Sequence, residues 1–489
     1  MARLRELLKR VDILGVIGDI DCHIEAVTYD SRKCGPGTLF VCIDGFSTDG
    51  HKYLGDAAAA GATACLITRD IEIPAGVTAV KVADSRNAMA AVACELYGNP
   101  SQRMHLLGIT GTKGKTTTAY IYWSIMNSMG YTTGMIGTLG NYVAGNKINT
   151  GRSTPTTPES CDLQYTFTYM MDSGAQDAVM EVTSQALKLS RVAYTEYETG
   201  IFMNLSRDHI TEREHPDMED YFLSKAKLFS MCKQAIINVD SEYGIRLLSM
   251  TSVPVYRMSL EQADIYPTNI HTDHMGMTFD LNTPWGSARV NTNLQGKFNI
   301  YNIMAAISAC CLRGIDIATA ASAVSNVYVP GRLEEVNLNR PYKVLIDYAH
   351  TPDSLENVLR ALKEDATGRV ICVFGCGGDR DHGKRPDMGR ISCSIADISV
   401  ITSDNPRTEE PDAIIDMIEA GAKTAGGKYV RITDRRSAIK YAISIAAEGD
   451  VVILAGKGQE TYQMFGDRTI PFDERVIVRQ VLEELDNEH

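Results

Sequence analysis

A chain of 489 residues is too long for one hydrophobic core and predicts about three domains. Its composition, 44% hydrophobic and 22% charged, is that of a globular protein, and no apolar run approaches the roughly 18 residues of a membrane span. A net charge of −13 argues against nucleic acid as the main partner, while leaving room for a local basic pocket around a phosphorylated small molecule; no membrane partner is expected. At the N-terminus, Met1–Ile20 mixes Arg3, Arg5, Lys9 and Arg10 with Leu4, Leu7, Leu8 and Val11, which predicts an amphipathic helix. A secretory signal would need an unbroken apolar segment instead. Short apolar strands at Thr38–Ile43, Ala64–Ile67 and Ala79–Val82, with an Ala-rich helix at Asp56–Ala60, make a small α/β domain over residues 1–100, closed by the turn Asn99-Pro100.

From Met104 the pattern becomes strand, glycine loop, helix. Met104–Ile109 leads into Thr110-Gly111-Thr112-Lys113-Gly114-Lys115-Thr116-Thr117-Thr118, and a helix follows with Ala119, Tyr122, Met126 and Met129 on one face before Gly130. That is the setting of a phosphate loop. Gly111 and Gly114 let backbone N–H groups of the loop, Thr112 and Thr117 included, approach phosphates at a helix N-terminus. Lys115 would reach the β- and γ-phosphates of ATP, and Thr116 would hold Mg²⁺. The strict GxxxxGKT pattern wants glycine where Ile109 stands. Glu181, after an apolar strand at Ala178–Met180, is a natural Mg²⁺ ligand near such a loop, although alone it would be read as a surface glutamate. His209, in Ser206-Arg207-Asp208-His209, and the lysines of Tyr221-Phe222-Leu223-Ser224-Lys225-Ala226-Lys227 would alone be read as structural or solvated. So would Asn299 in Gly296-Lys297-Phe298-Asn299, as a helix cap. Residues 259–293 carry weak alternation and predict a β-rich excursion. The central domain runs over residues 101–331, with Pro330-Gly331 as a candidate hinge.

The last third, residues 332–489, is the most regular. Strands at Lys343–Ile346, Arg369–Phe374, Ile398–Ile401, Lys428–Ile432 and Val451–Leu454 alternate with helices, which predicts a Rossmann-like parallel sheet covered on both faces. Ligands bind beyond the carboxyl ends of such strands, where Asp347–His350, Gly375–Arg380, Asp404–Arg407 and Gly456–Glu460 fall. The twelve cysteines are scattered without a CxxC pair; Cys372 and Cys376 flank a glycine turn but have no second ligand pair. Buried thiols in a cytoplasmic protein follow.

The Thr110-Gly111-Thr112 and Gly114-Lys115-Thr116 spacing resembles the Mur ligases, which build the peptide stem of bacterial cell walls, and their folylpolyglutamate synthase relatives. The resemblance covers nearly the whole chain. It implies an α/β architecture of three domains: a small UDP-sugar-binding α/β domain, a central P-loop ATPase-like domain with a mainly parallel sheet, and a C-terminal Rossmann-like domain that takes the amino acid. It implies His209 as a metal ligand, a carbamylated lysine at Lys225 rather than Lys227 as a further metal ligand, and Asn299, Arg332 and Asp347 on the nucleotide. Tyr29-Asp30-Ser31-Arg32 looks like a uridine-nucleotide segment, so Ser31 is a substrate contact. Thr154-Pro155-Thr156-Thr157-Pro158 resembles the loop that holds the muramoyl peptide, with Thr156, Thr157, Thr183 and Arg191 as contacts. Leu189 replaces a glutamine of some relatives, and Gln459 replaces a histidine of many.

Within the family, Asp404-Asn405-Pro406-Arg407 is similar to the signature of members that add meso-diaminopimelate to UDP-N-acetylmuramoyl-L-alanyl-D-glutamate. A guanidinium at Arg407 can bind the carboxylate that lysine lacks, and Arg380, Gly456 and Glu460 would complete that pocket. The implied reaction is ATP-dependent amide ligation through an acyl phosphate by a monomeric enzyme on small-molecule substrates. Ligation of L-lysine, or a folylpolyglutamate synthase-like activity, is the alternative. No general base stands out: His350 could serve, or be structural beside Pro352.

Overall fold

The computed structural model describes residues 2–487 except 46–47, 149–155, 209, 212–213, 274–275 and 337–338. The chain divides into two compact units. One holds residues 1–267, 281–288 and 301–323, and the other holds 268–280, 289–300 and 324–489.

The first unit contains two sheets of mainly parallel strands. The five-stranded sheet runs Ile13–Ile17, Thr78–Val82, Ala64–Ile67, Thr38–Val41, Ala26–Thr28, with only Ile13–Ile17 antiparallel. Ser85–Leu96 covers one face through Met89, Val92 and Ala93, and Leu54–Ala59 covers the other through Leu54 and Ala57. Asp84 starts the longer helix by accepting from the Arg86 and Asn87 amides. The predicted N-terminal helix is cut short here. Leu4–Leu7 is helical, with Leu4, Leu7 and Leu8 buried, but Ile13–Ile17 is a strand, because pairing with Thr78–Val82 outweighs the local helical spacing.

The eight-stranded sheet runs Asn146–Ile148, Gly140–Val143, Thr133–Gly137, Asp177–Glu181, His105–Thr110, Tyr197–Phe202, Cys232–Asn238, Val255–Met258. From Thr133–Gly137 onward its strands are parallel, and the first two form an antiparallel margin. The strand that launches the phosphate loop, His105–Thr110, thus lies inside the sheet, flanked by the strands ending at Glu181 and Phe202. Carboxyl ends of parallel neighbours converge on one margin, which is what gathers the site. The excursion after residue 259 is a three-stranded sheet of Tyr266–Asp273, Gly276–Thr283 and Gly286–Thr292.

In the second unit a six-stranded sheet runs Glu334–Glu335, Lys343–Asp347, Val451–Ala455, Val370–Phe374, Ile398–Ile401, Tyr429–Arg431, parallel except for the first strand. Pro352–Asp365, Lys384–Ile395 and Pro411–Ala425 pack on one face, and Arg435–Ser444 and Glu474–Asn487 on the other. Gly331 is packed tightly within this unit: a Cβ there would lie 2.3 Å from the Gln459 amide nitrogen. All twelve cysteines are free, and burial pushes the thiols of Cys372 and Cys376 up to about 12. Among the described residues no helix is long and apolar enough to cross a membrane.

Candidate functional site

Two glycines shape the phosphate loop. Gly111 and Gly114 adopt φ of +152° and +88°, and a Cβ would come within 2.9 Å of Met203 Cβ and 2.5 Å of Asn302 Oδ1 respectively. The loop is tied to the end of the next strand. The Asn204 side chain accepts from Lys113 N at 2.9 Å and donates to Lys113 O at 3.1 Å, and Thr112 Oγ1 accepts from Ser206 N at 3.0 Å. Lys115 opens the helix Lys115–Ser128, and its Nζ donates back to Gly111 O at 2.8 Å and Thr112 O at 3.1 Å. Thr117 is buried in the first turn.

Glu181 is the acidic ledge beside the loop. Its carboxylate accepts from Thr116 Oγ1 at 2.9 Å and from Thr138 N at 2.7 Å, while its own backbone carbonyl accepts from Thr157 Oγ1 at 2.9 Å. Space is reserved for it, since a Cβ on Gly137 would stand 2.3 Å from Glu181 Oε1. Lys225, 1% exposed, reaches in from the helix Met218–Ala226 and donates to Gly111 O at 3.0 Å. Burial and then the neighbouring Lys115 charge hold its ammonium pKa well below the usual lysine value, against the opposing pull of Asp208. Lys227 is exposed. Three carbonyl-bound or carboxylate-bound side chains, Lys115, Lys225 and Thr116, therefore converge on one loop.

The proposed peptide contacts follow along the same margin. Thr156 Oγ1 lies 3.0 Å from Thr138 Oγ1, and Thr157 Oγ1 lies 3.3 Å from Thr183 Oγ1, whose hydroxyl also caps Ser184–Lys188. Arg191 is buried, with Nη1 donating to Thr157 O at 3.4 Å and Nε 3.0 Å from Glu159 Oε1. Ser31 begins a short turn that Asp30 caps from its side chain.

In the second unit, Asp347 ends its strand buried, and its carboxylate accepts from Leu333 N and Ala349 N at 2.8 Å each. Burial raises its pKa, with Arg332 opposing; the Arg332 guanidinium stacks 4.8 Å above the Tyr348 ring. His350 Nδ1 donates to Tyr348 O at 2.8 Å. Asn299 is buried and donates to Gln295 O at 2.7 Å.

At the other strand ends, Asn405 and Glu460 are joined at 2.8 Å, and the fully buried Lys457 donates to Glu460 Oε2 at 2.9 Å and Asn405 Oδ1 at 3.2 Å. Gly456 makes room for Asp404, whose Oδ2 is buried and has no hydrogen-bond partner among the described residues. Pro406 leads into Arg407, which takes φ of +52°; its amide donates to Met464 O, and Nη1 donates to Gly378 O at 2.6 Å. Gly377 lies between Arg407 and the exposed Arg380. A cleft of about 500 Å³ in this unit is lined by Pro341, Tyr342, Lys343, Asp450 and Val451. It opens at the amino ends of the strands, opposite the strand ends that carry Asp404, Arg407, Gly456 and Glu460.

Against known protein families, residues 23–109 match the Mur ligase family catalytic domain, 109–310 the Mur ligase middle domain, and 331–458 the Mur ligase glutamate ligase domain. The chain is 42% identical, over 99% of its length and 98% of the relative's, to the UDP-N-acetylmuramoyl-L-alanyl-D-glutamate--2,6-diaminopimelate ligase of Alkaliphilus metalliredigens. The chain belongs to the Mur ligase family. It is also 43% identical, over 99% of each chain, to the protein of that name from Caldanaerobacter subterraneus. A solved structure of a ligase of that name superposes with TM-score 0.71 at 30% identity, covering 99% of this chain and 100% of that one. The MurF ligase of Thermotoga maritima in complex with ADP shares the fold at TM-score 0.65 and 16% identity, with 95% and 99% covered.

The three-domain α/β fold expected from the sequence is the Mur ligase fold. In this Mur ligase the structure brings together Gly111, Thr112, Gly114, Lys115, Thr116, Glu181 and Lys225. It sets Thr156, Thr157, Thr183 and Arg191 in a second cluster, and Asp404–Arg407 with Gly456 and Glu460 in a third. His209, with Thr154 and Pro155 of the peptide loop, lies outside the described residues. Sequence reasoning missed Thr138, Glu159 and Lys457, and it missed the part-buried Arg385–Glu409 and fully buried Arg435–Glu474 pairs behind the third cluster. Arg435 also donates to Ser403 O and Ala455 O, so it braces the two strand ends that carry Asp404 and Gly456. Single residues whose partners lie far away in sequence carry no local signal of them.

Proposed function

We propose that this chain is an ATP-dependent ligase that joins the amine of meso-diaminopimelate to the D-glutamate γ-carboxylate of UDP-N-acetylmuramoyl-L-alanyl-D-glutamate. The observation that carries the reading is the phosphate loop with Glu181 held against Thr116. Full-length likeness to curated diaminopimelate ligases supports the amine, as does Arg407 in a braced loop. Residues 1–100 take the uridine nucleotide, through Ser31 among others, 101–331 take ATP, and 332–489 take the amino acid. Asn299, Arg332 and Asp347 serve the nucleotide. The enzyme acts as a cytoplasmic monomer on these small molecules.

The substrate carboxylate attacks the γ-phosphorus of ATP, releasing ADP and leaving an acyl phosphate. The diaminopimelate amine then attacks the acyl carbon, and the tetrahedral intermediate expels phosphate as the amine loses its proton. Lys115 and the helix N-terminus offset the repulsion between a carboxylate and a polyanion. The oxygen donors of Thr116 and Glu181 suit Mg²⁺, which supplies further charge neutralisation when bound; His209 and a carbamylated Lys225 are the remaining proposed ligands. An ammonium at Lys225 would oppose a cation there. Its depressed pKa favours the free amine, which adds to CO₂ and loses a proton to give an anionic carbamate, a group compatible with the metal. Asp404 Oδ2 would accept from the amino acid's ammonium group, and Arg380 and Arg407 would receive its carboxylates.

Phosphate release from ATP with the UDP-muramoyl dipeptide tests the reading. Release is expected to require an amine and to be faster with meso-diaminopimelate than with L-lysine; release without any amine points to a plain ATPase. A second test concerns Lys225. Lys225→Ala is expected to lose activity and to regain part of it when short carboxylic acids occupy the vacated volume, and lack of recovery counts against the carbamate.

A further inference from the structure

The phosphate chemistry leaves one buried charged cluster unused. Glu159 directly precedes the helix Ser160–Asp172, and its side chain makes no cap bond. It is 4% exposed and instead takes two guanidinium groups. Arg86 Nη1 donates to both carboxylate oxygens at 2.8 Å, and Arg191 Nε lies 3.0 Å from Oε1. Arg86 belongs to the helix Ser85–Leu96 on the five-stranded sheet, whereas Glu159 and Arg191 belong to the region around the eight-stranded one. A parallel tie runs from Tyr29, beside Ser31, to Asp162 at 2.9 Å.

We infer that Glu159 is a positioning residue that aims Arg191 at the peptide of the sugar nucleotide, with Arg86 holding it from the first domain. The inference rests on Arg191 being a sugar-nucleotide contact, as proposed above. The charges support it. Two guanidinium groups share the Glu159 carboxylate, Arg191 buried and Arg86 16% exposed, and the carboxylates of a muramoyl dipeptide are anions that Arg191 could take. The geometry supports it too. Arg191 also bonds Thr157 O, so Glu159 fixes the arginine from one side while the Thr157 segment fixes it from the other. Arg86 then affects sugar-nucleotide affinity without touching that substrate, and the uridine and peptide ends of the site are held at one spacing.

Steady-state kinetics of the whole enzyme, varying each of the three substrates in turn, test this. Glu159→Gln is expected to raise KM for the UDP-muramoyl dipeptide by at least about ten-fold, since Arg191 loses the carboxylate that orients it. KM for ATP and for diaminopimelate should stay within about two-fold. Arg86→Met should act in the same direction, and Arg86→Lys should recover most of the affinity, because a single nitrogen makes both contacts. In an Arg191→Met background, Arg86→Met should add little, as expected of residues acting through one group. If Arg191→Met raises that KM while Glu159→Gln and Arg86→Met do not, the positioning role is overturned and the contact role of Arg191 stands. If Arg191→Met leaves it unchanged, the underlying assignment falls as well. A uniform loss across all three KM values together with a lowered melting temperature would make the cluster merely structural and would also overturn the inference.

Discussion

Lys115→Ala is expected to abolish turnover with either diaminopimelate or lysine, lowering kcat by at least about 10³-fold. Lys115 is the first residue of the helix behind the loop, and its ammonium already sits on the carbonyls of Gly111 and Thr112. In the proposed reading a triphosphate would lie beside it. Charge moves toward the β–γ bridging oxygen as the carboxylate attacks, so a cation there is worth most in the transition state, and its loss appears in kcat rather than only in KM for ATP. The side chain is only partly buried, so alanine should be tolerated by the fold, and an unchanged melting temperature would separate lost chemistry from lost structure. Amine-dependent ADP formation is the measurement. Retention of more than about a tenth of the normal rate would remove the loop from the chemistry.

Arg407→Ala is expected to raise KM for meso-diaminopimelate on the order of 10²-fold, from the loss of about 2–3 kcal/mol of charge-assisted hydrogen bonding. KM for ATP should hardly change. The residue is held in a left-handed backbone conformation that costs energy for anything but glycine, and hydrogen bonds to Met464 and Gly466 sustain it. A side chain fixed in this way loses little freedom when it meets a carboxylate, which favours discrimination. Arg407→Lys should rescue poorly, since an ammonium cannot form the two parallel bonds of a guanidinium. Any residual reaction with L-lysine should be almost unaffected, because lysine has no second carboxylate. An equal loss with both amines, or a wild-type preference for lysine, would sink this account of specificity.

Much of the framework was legible because buried parallel strands are unbroken apolar runs. Ile398–Ile401 is found as expected, and Lys343–Asp347, Val370–Phe374 and Val451–Ala455 differ from expectation by one residue at an end. The phosphate loop was legible because its glycines, lysine and threonine are adjacent in sequence. Elements whose reason lies far away were not. Ile13–Ile17 is a strand because of residues near position 80, and the helical spacing of its leading leucines concealed that. Arg86 and Glu159 are 73 positions apart, and the pair declares itself only when two sheets meet. Lys457 reads as one more polar residue in a glycine turn, yet it is fully buried between Asn405 and Glu460.

The order of strands in the eight-stranded sheet bears on how the protein is made. His105–Thr110 pairs with Asp177–Glu181 and Tyr197–Phe202, segments that leave the ribosome long after it. Closing such wide loops costs entropy before any pairing repays it, so this sheet is slow to assemble. A nascent chain that ends before Asp177 has the glycines and the lysine but neither of the walls that hold them. Nucleotide capture is thus a late event in synthesis, and until then the apolar strand beneath the loop is a surface for chaperones to shield.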